Sequence, residues 1–292
     1  MSSDRRLDLL THAASYLYWL TTSQDANFRY KGCHRDTKNE DVSLSPGWSY
    51  FVEHKEYIEH VQKYANQEEV RHYSFLDETS LTYSSIQIST CAGFQAMHLA
   101  NLKKRKGLSA TGLVGVACSD HEMWRPNGLG DLQVGERYDI LTCHVDFSLI
   151  LSRYCNMDYV YFSSIVGVAV LVILASYDIT CQFFPGLPRR ITELPERLKP
   201  SIRLNNIVPK VPKAHIYTHN EKCHGPFSFN WTKGAGRTDG EGIERLWLLL
   251  NKAALSVREM TPSARRETID DLCGFINWCK LINYGKSLHL WC

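Results

Sequence analysis

Four acids stand where the chain could do metal or acid–base chemistry. Two of them, Glu241 and Glu244, lie in GRTDGEGIERLW (Gly236 to Trp247), a stretch that reads as a glycine-rich loop entering a helix. Thr238 or Asp239 can cap that helix, and Thr238-x-x-Glu241 fits a capping box, which makes Glu241 a helix-closing side chain. An ion pair between Glu241 and Arg245, one turn apart, is its other ordinary role. Ile243, Leu246, Trp247 and Leu250 recur at helical spacing and form one buried stripe. Glu244 lies at the rim of that stripe and Glu241 nearly opposite it, which favours Glu244 for chemistry. A third acid, Asp178, follows the apolar run Ile165 to Ala175, read as a central buried strand; an acid there sits at the carboxyl edge of a sheet, where α/β sites are built, unless it only caps a helix. The fourth, Asp25, opens an alternating stretch with Phe28 and Tyr30 that reads as a strand, and a solvated turn is its ordinary role.

Thiols and imidazoles form a second set. Cys118 and His121 have the Cys-x2-His spacing that lets thiolate and imidazole meet on one tetrahedral ion, and Cys91 is a third candidate ligand. His98, Cys223 and His224 are candidates for the fourth place. The cations Lys103, Lys104, Arg105 and Lys106 make a solvated face or, beside an active site, a hold on phosphates.

The elements that must position these residues are those of an ordinary globular α/β chain. Hydrophobic residues make up 44% and charged residues 22% of 292, and a net charge of +2 leaves nucleic-acid binding to local patches. Ten cysteines behind a charged N-terminus (MSSDRRLDLL) suggest reduced thiols or metal ligands, in a cytosolic or nuclear setting. The longest apolar run is too short to span a bilayer, so no membrane segment is expected. Strands are expected at Thr111 to Ala117 and Val211 to His219, with strand character in GWSYFVE; Glu53 to Asn66 reads as a surface helix and Ser263 to Cys292 as one or two amphipathic helices. Thr21 to Gln24 reads as a polar stretch and Gly130 to Arg137 as a link. Arg137-Tyr138 recurs as Arg153-Tyr154, as a short translated in-frame intron would leave, so residues 139–154 are expected to lie outside the functional fold.

DANFRYK, KGLSATGLVGVACSDHEMWRPNGLGDLQ, GERY, NMDYVYFSS, SYDITCQ and FSFNWTKGAGRTDGEGIERLW together resemble the KDZ (Kyakuja-Dileera-Zisupton) transposases of eukaryotic DNA transposons. The resemblance implies a ribonuclease H-like mixed sheet flanked by helices, with an inserted Cys/His-bearing, zinc-binding module at about residues 85–160. An atypical segment, residues 1–24, would precede a core of residues 25–292. It also implies a DDE triad of Asp25, Asp178 and Glu244, with Glu241 in reserve, holding two Mg2+ or Mn2+ ions for DNA strand cleavage and transfer. Arg237, with Lys103 to Lys106, would contact the DNA backbone, and zinc would sit on Cys91, Cys118 and His121 with His98 as a further ligand. Transposon ends and target DNA would be the partners, in a nuclear protein that forms a homo-oligomer. Relatives are usually much longer, so a fragment is expected, and a catalytically inactive transposon-derived remnant is the alternative function.

Overall fold

The polar stretch Thr21–Gln24 is the middle of strand β1 (Trp19–Asn27), and all four residues are buried. Two of them find partners in the neighbouring layer. Thr22 Oγ1 meets the Tyr161 hydroxyl at 3.1 Å, and Gln24 Nε2 donates to the Met157 carbonyl at 2.8 Å. Such bonds are what let Thr22 and Gln24 lie in a core, while the Ser23 hydroxyl is buried there without a hydrogen bond among the described residues. The boundary expected at residue 24 therefore falls inside this strand. The computed structural model describes residues 18–35, 41–47, 49–72, 107–133 and 147–289.

Strand β1 is followed by the short β2 (Gly32–Cys33), helix α1 (His54–His72), β3 (Leu108–Cys118), β4 (Met123–Gln133), helix α2 (Phe147–Ile165), β5 (Val172–Ser176) and β6 (Ile207–Lys210). Helices α3 (Gly242–Leu250) and α4 (Pro262–His289) complete the frame. The sheet is six-stranded and mixed. Strand β3 pairs antiparallel with β4 on one edge and with β1 and β2 on the other, while β1, β5 and β6 run parallel.

Alternation along β3 builds a layer on each face. Val114 and Val116 join a core with α1, α2 and β5; Leu113 and Ala117 face Trp124, Ile243, Leu246 and Trp247 on the other side. Gly115 shares the second face, where a Cβ would lie 2.7 Å from the Trp247 ring and 2.8 Å from that of Trp124. The missing side chain is what lets both indoles reach the strand.

Several expected boundaries shift. Only Val172–Ser176 of the apolar run is strand, because Ile165 still belongs to α2 and Gly167 turns the chain with φ +73°. The next strand is Ile207–Lys210; Pro212, which lacks an N–H, leaves Val211 a single bridge to Ser228 and the segment to His219 as turns. Gly130–Gln133 is strand, not link, and β3 and β4 are central-sheet strands rather than parts of an inserted module. Of the suspected insert, residues 139–146 lie outside the described residues, Phe147–Arg153 begin α2, and Tyr154 is buried against Phe183. No helix among the described residues is long and apolar enough to cross a membrane.

Candidate active site

Parallel pairing of β1 with β5 sets two acids side by side. Ser23 is in register with Ser176, so Asp25 on β1 and Asp178, just past the end of β5, emerge at the same edge of the sheet. Helix α3 crosses that edge. Its buried stripe of Ile243, Leu246, Trp247 and Leu250 seats it on the sheet, which turns Glu244 toward the aspartates. The turn before it is held close. A Cβ on Gly240, whose φ is +78°, would lie 2.5 Å from Ser176 Oγ, and Ser176 Oγ donates to the Gly240 carbonyl at 3.3 Å.

Between Asp178 and Glu244 stands His215, a residue to which the sequence drew no attention. Its Nδ1 lies 3.1 Å from Asp178 Oδ2 and its Nε2 2.7 Å from Glu244 Oε1. Two carboxylates on one imidazole favour its charged form, and the ring's pKa is raised to about 11, chiefly by these two contacts. The same contact lowers that of Glu244. Donor atoms of Asp178, His215 and Glu244 all lie within 4.8 Å of one another. Asp25 receives a hydrogen bond of 3.0 Å from Trp247 Nε1 at its Oδ2. Its pKa is pushed up to about 8, first by burial and then by the negative charge of Asp178, with Glu244 adding to it. The signal for His215 was present in VPKAHIYTHNEKC as the spacing His-x3-His-x3-Cys, a row the strand reading obscured.

The two glutamates divide differently from the capping-box reading. Glu241 is itself the N-cap residue and its side chain makes no cap bond; it accepts a bond of 2.8 Å from the Ala214 N–H instead. The cap-like bond comes from Asp239, which accepts from the Glu241 N–H at 2.9 Å. Nor does Glu241 pair with Arg245. That guanidinium forks onto both Asp239 oxygens at 2.8 and 3.1 Å and also reaches Glu122, because a planar fork is better met by two-oxygen contacts than by a flexible one-turn pair. Glu241 is 3.9 Å from His215 Nε2, so it borders the cluster, but its side chain is 12% exposed against 46% for Glu244. Glu244 is the carboxylate a large substrate can reach.

Asp178 and Glu244 share one protonated imidazole, and their negative charge acts on Asp25 beside them. Hard oxygen donors in that state fit a divalent cation such as magnesium or manganese, whose charge would relieve the repulsion. Arg237 is exposed on the glycine-rich loop, and its carbonyl lies 3.5 Å from Lys213 Nζ. Cys118 Sγ and His121 Nδ1 meet at 3.2 Å in the turn between β3 and β4. Cys91, His98 and Lys103 to Lys106 lie outside the described residues.

An acid-rich, cation-accepting centre at the carboxyl edge of a mixed sheet places the molecule among α/β proteins with a candidate metal-dependent site. The chain belongs to the KDZ (Kyakuja-Dileera-Zisupton) transposase family, whose model matches residues 18–277 and so includes all four acids and His215. No curated protein and no solved structure matches it.

Proposed function

We propose that the chain is the catalytic core of a DDE-type DNA transposase, using Asp25, Asp178 and Glu244 to hold two Mg2+ or Mn2+ ions. The observation that carries this reading is the convergence of Asp178, at the end of β5, and Glu244 on α3 at the sheet edge where Asp25 of β1 also lies and feels their charge. The antiparallel β1–β3–β4 half joined to a parallel β1–β5–β6 half supports a ribonuclease H-like assignment. Bound there, the ions would supply Lewis acidity to the attacking and leaving oxygens of a phosphodiester. The side chains do the holding. Trp247 fixes one oxygen of Asp25, and Glu241 ties the 211–219 segment to the start of α3 through Ala214. His215 keeps a proton between Asp178 and Glu244, so cation uptake and retention of that proton compete for the same two carboxylates. Arg237 and the Lys103 to Lys106 cluster would hold the DNA backbone without reading sequence. Action on chromosomal DNA would call for a nuclear protein, and pairing of two transposon ends for a homo-oligomer.

The test is nicking of a supercoiled plasmid with Mg2+ or Mn2+ and with chelator. Cutting should need the ion. Asp178→Asn and Glu244→Gln should each lower it by more than the ~10–100-fold typical of residues that only support metal ligands. Glu241→Gln should cost less than either. A folded, DNA-binding chain that cuts under none of these conditions would instead be the inactive remnant. Loss in Glu241→Gln with Glu244→Gln intact would reassign the third acid.

A further inference from the structure

A second cluster lies behind Asp178, made of softer ligands. Cys181 sits in the helical turn Thr180–Phe183, three residues after Asp178. His219 follows the turn Ile216–Thr218, and Cys223 lies in the turn Glu221–His224. One Sγ from each cysteine and one ring nitrogen of His219 lie within 4.8 Å of one another. His219 and Cys223 are buried, and Cys181 is half-buried.

We propose that Cys181, His219 and Cys223 bind a zinc ion. The Cys181 Sγ to His219 Nδ1 distance is 3.5 Å. Zn–S of ~2.3 Å and Zn–N of ~2.0–2.1 Å at a tetrahedral angle give an S···N edge of about 3.5 Å, so this pair already has the separation a shared zinc requires. His219-x3-Cys223 has a spacing common among zinc ligands, and two thiolates select zinc over the hard cations suited to the acid cluster. On binding, each thiol releases its proton to solvent. Two thiolates and a neutral imidazole around Zn2+ then carry no net charge, which suits a buried place. The fourth position is left to solvent.

Such an ion would do mechanical work. The segment from Val211 to His224 carries His215 and is otherwise built of turns, tied to Ser228 by an isolated bridge from Val211 and to the start of α3 through Ala214. A zinc ion would staple it to the turn that follows Asp178, holding His215 against the acids. The site stands whether or not the chain cuts DNA, because none of its ligands is one of the three acids.

The test is elemental analysis of the full chain purified under reducing conditions, followed by Co2+ replacement. We expect about one zinc per chain bound here, a thiolate-to-cobalt charge-transfer absorption, and loss of both in Cys181→Ser and Cys223→Ser but not in Cys118→Ser. Because those variants can also fail to fold, the wild-type chain supplies a second readout. Alkylation of Cys181 and Cys223, followed by peptide mass analysis, should be blocked with metal and proceed after chelation. A chain without zinc, zinc lost only in Cys118→Ser, or alkylation indifferent to chelator would each overturn the assignment.

Discussion

Arg190→Met should destabilise the protein by an amount that depends on pH. Asp158 on α2 and Arg190 are both buried, and the guanidinium donates to the two carboxylate oxygens at 2.5 and 3.1 Å. It also lies 4.5 Å over the Phe183 ring and 4.9 Å over that of Tyr154. Burial pushes the Asp158 carboxyl up to about 6 from an ordinary 3.8, and Arg190 restrains the rise. Without Arg190 that restraint is lost and the carboxyl's pKa rises further. Each pH unit between 6 and that higher value costs the variant ~1.4 kcal/mol relative to wild type. Below 6 both proteins hold Asp158 protonated, so the ionic part of the deficit vanishes. The deficit should therefore widen by up to about 1.4 kcal/mol from pH 5 to pH 7, the direction expected when the variant's folded state binds the extra proton. Lost ring stacking adds a pH-independent part, and together they should approach the ~3–5 kcal/mol typical of breaking a buried pair. Urea unfolding at the two pH values reads both parts, and Asp158→Asn with Arg190→Met should recover most of the ionic one. A deficit under ~1 kcal/mol, or one equal at pH 5 and 7, would refute the reasoning.

Gly115→Ala should cost ~1–3 kcal/mol by overpacking, since its methyl would press on Trp247 and Trp124, and thermal melts should show the loss. It should also weaken nicking, because the displaced indole is the one that holds Asp25; a drop in stability with full nicking would separate the two effects. Affinity for Mn2+, followed by calorimetry, should rise with pH and release a proton, because His215 is held charged by Asp178 and Glu244 with a pKa of about 11. His215→Gln should reduce that dependence and leave the part carried by Asp25, whose pKa is about 8, and an unchanged slope would place the released proton elsewhere than on His215. Deleting residues 139–154 puts Tyr138 directly before Cys155, in the place Tyr154 now holds. The shortened chain should melt no lower than the full one, whereas a drop of several degrees would make the segment genuine structure; sequencing the transcript gives an independent answer.

Local pattern carried much of the frame. The stripe on α3 was legible because burial on one face of a helix imposes its own period, and Asp178 was legible because an acid after a Val/Ile-rich run has few places to go. Strand β1 was not, since the groups that make Thr22 and Gln24 acceptable in a core, Tyr161 and Met157, lie more than a hundred residues away. For the same reason sequence spacing misjudged Glu241 and Arg245. Their one-turn relation is local and weak, while Asp239, Glu122 and Ala214 offer stronger contacts that exist only once the chain has folded. His215 and the Cys181–His219–Cys223 cluster depend on tertiary structure most of all. Pairing β5 with β6 in parallel carries the chain after β6 back beside Asp178, and only that return brings imidazole and thiol within reach of residues some forty positions earlier.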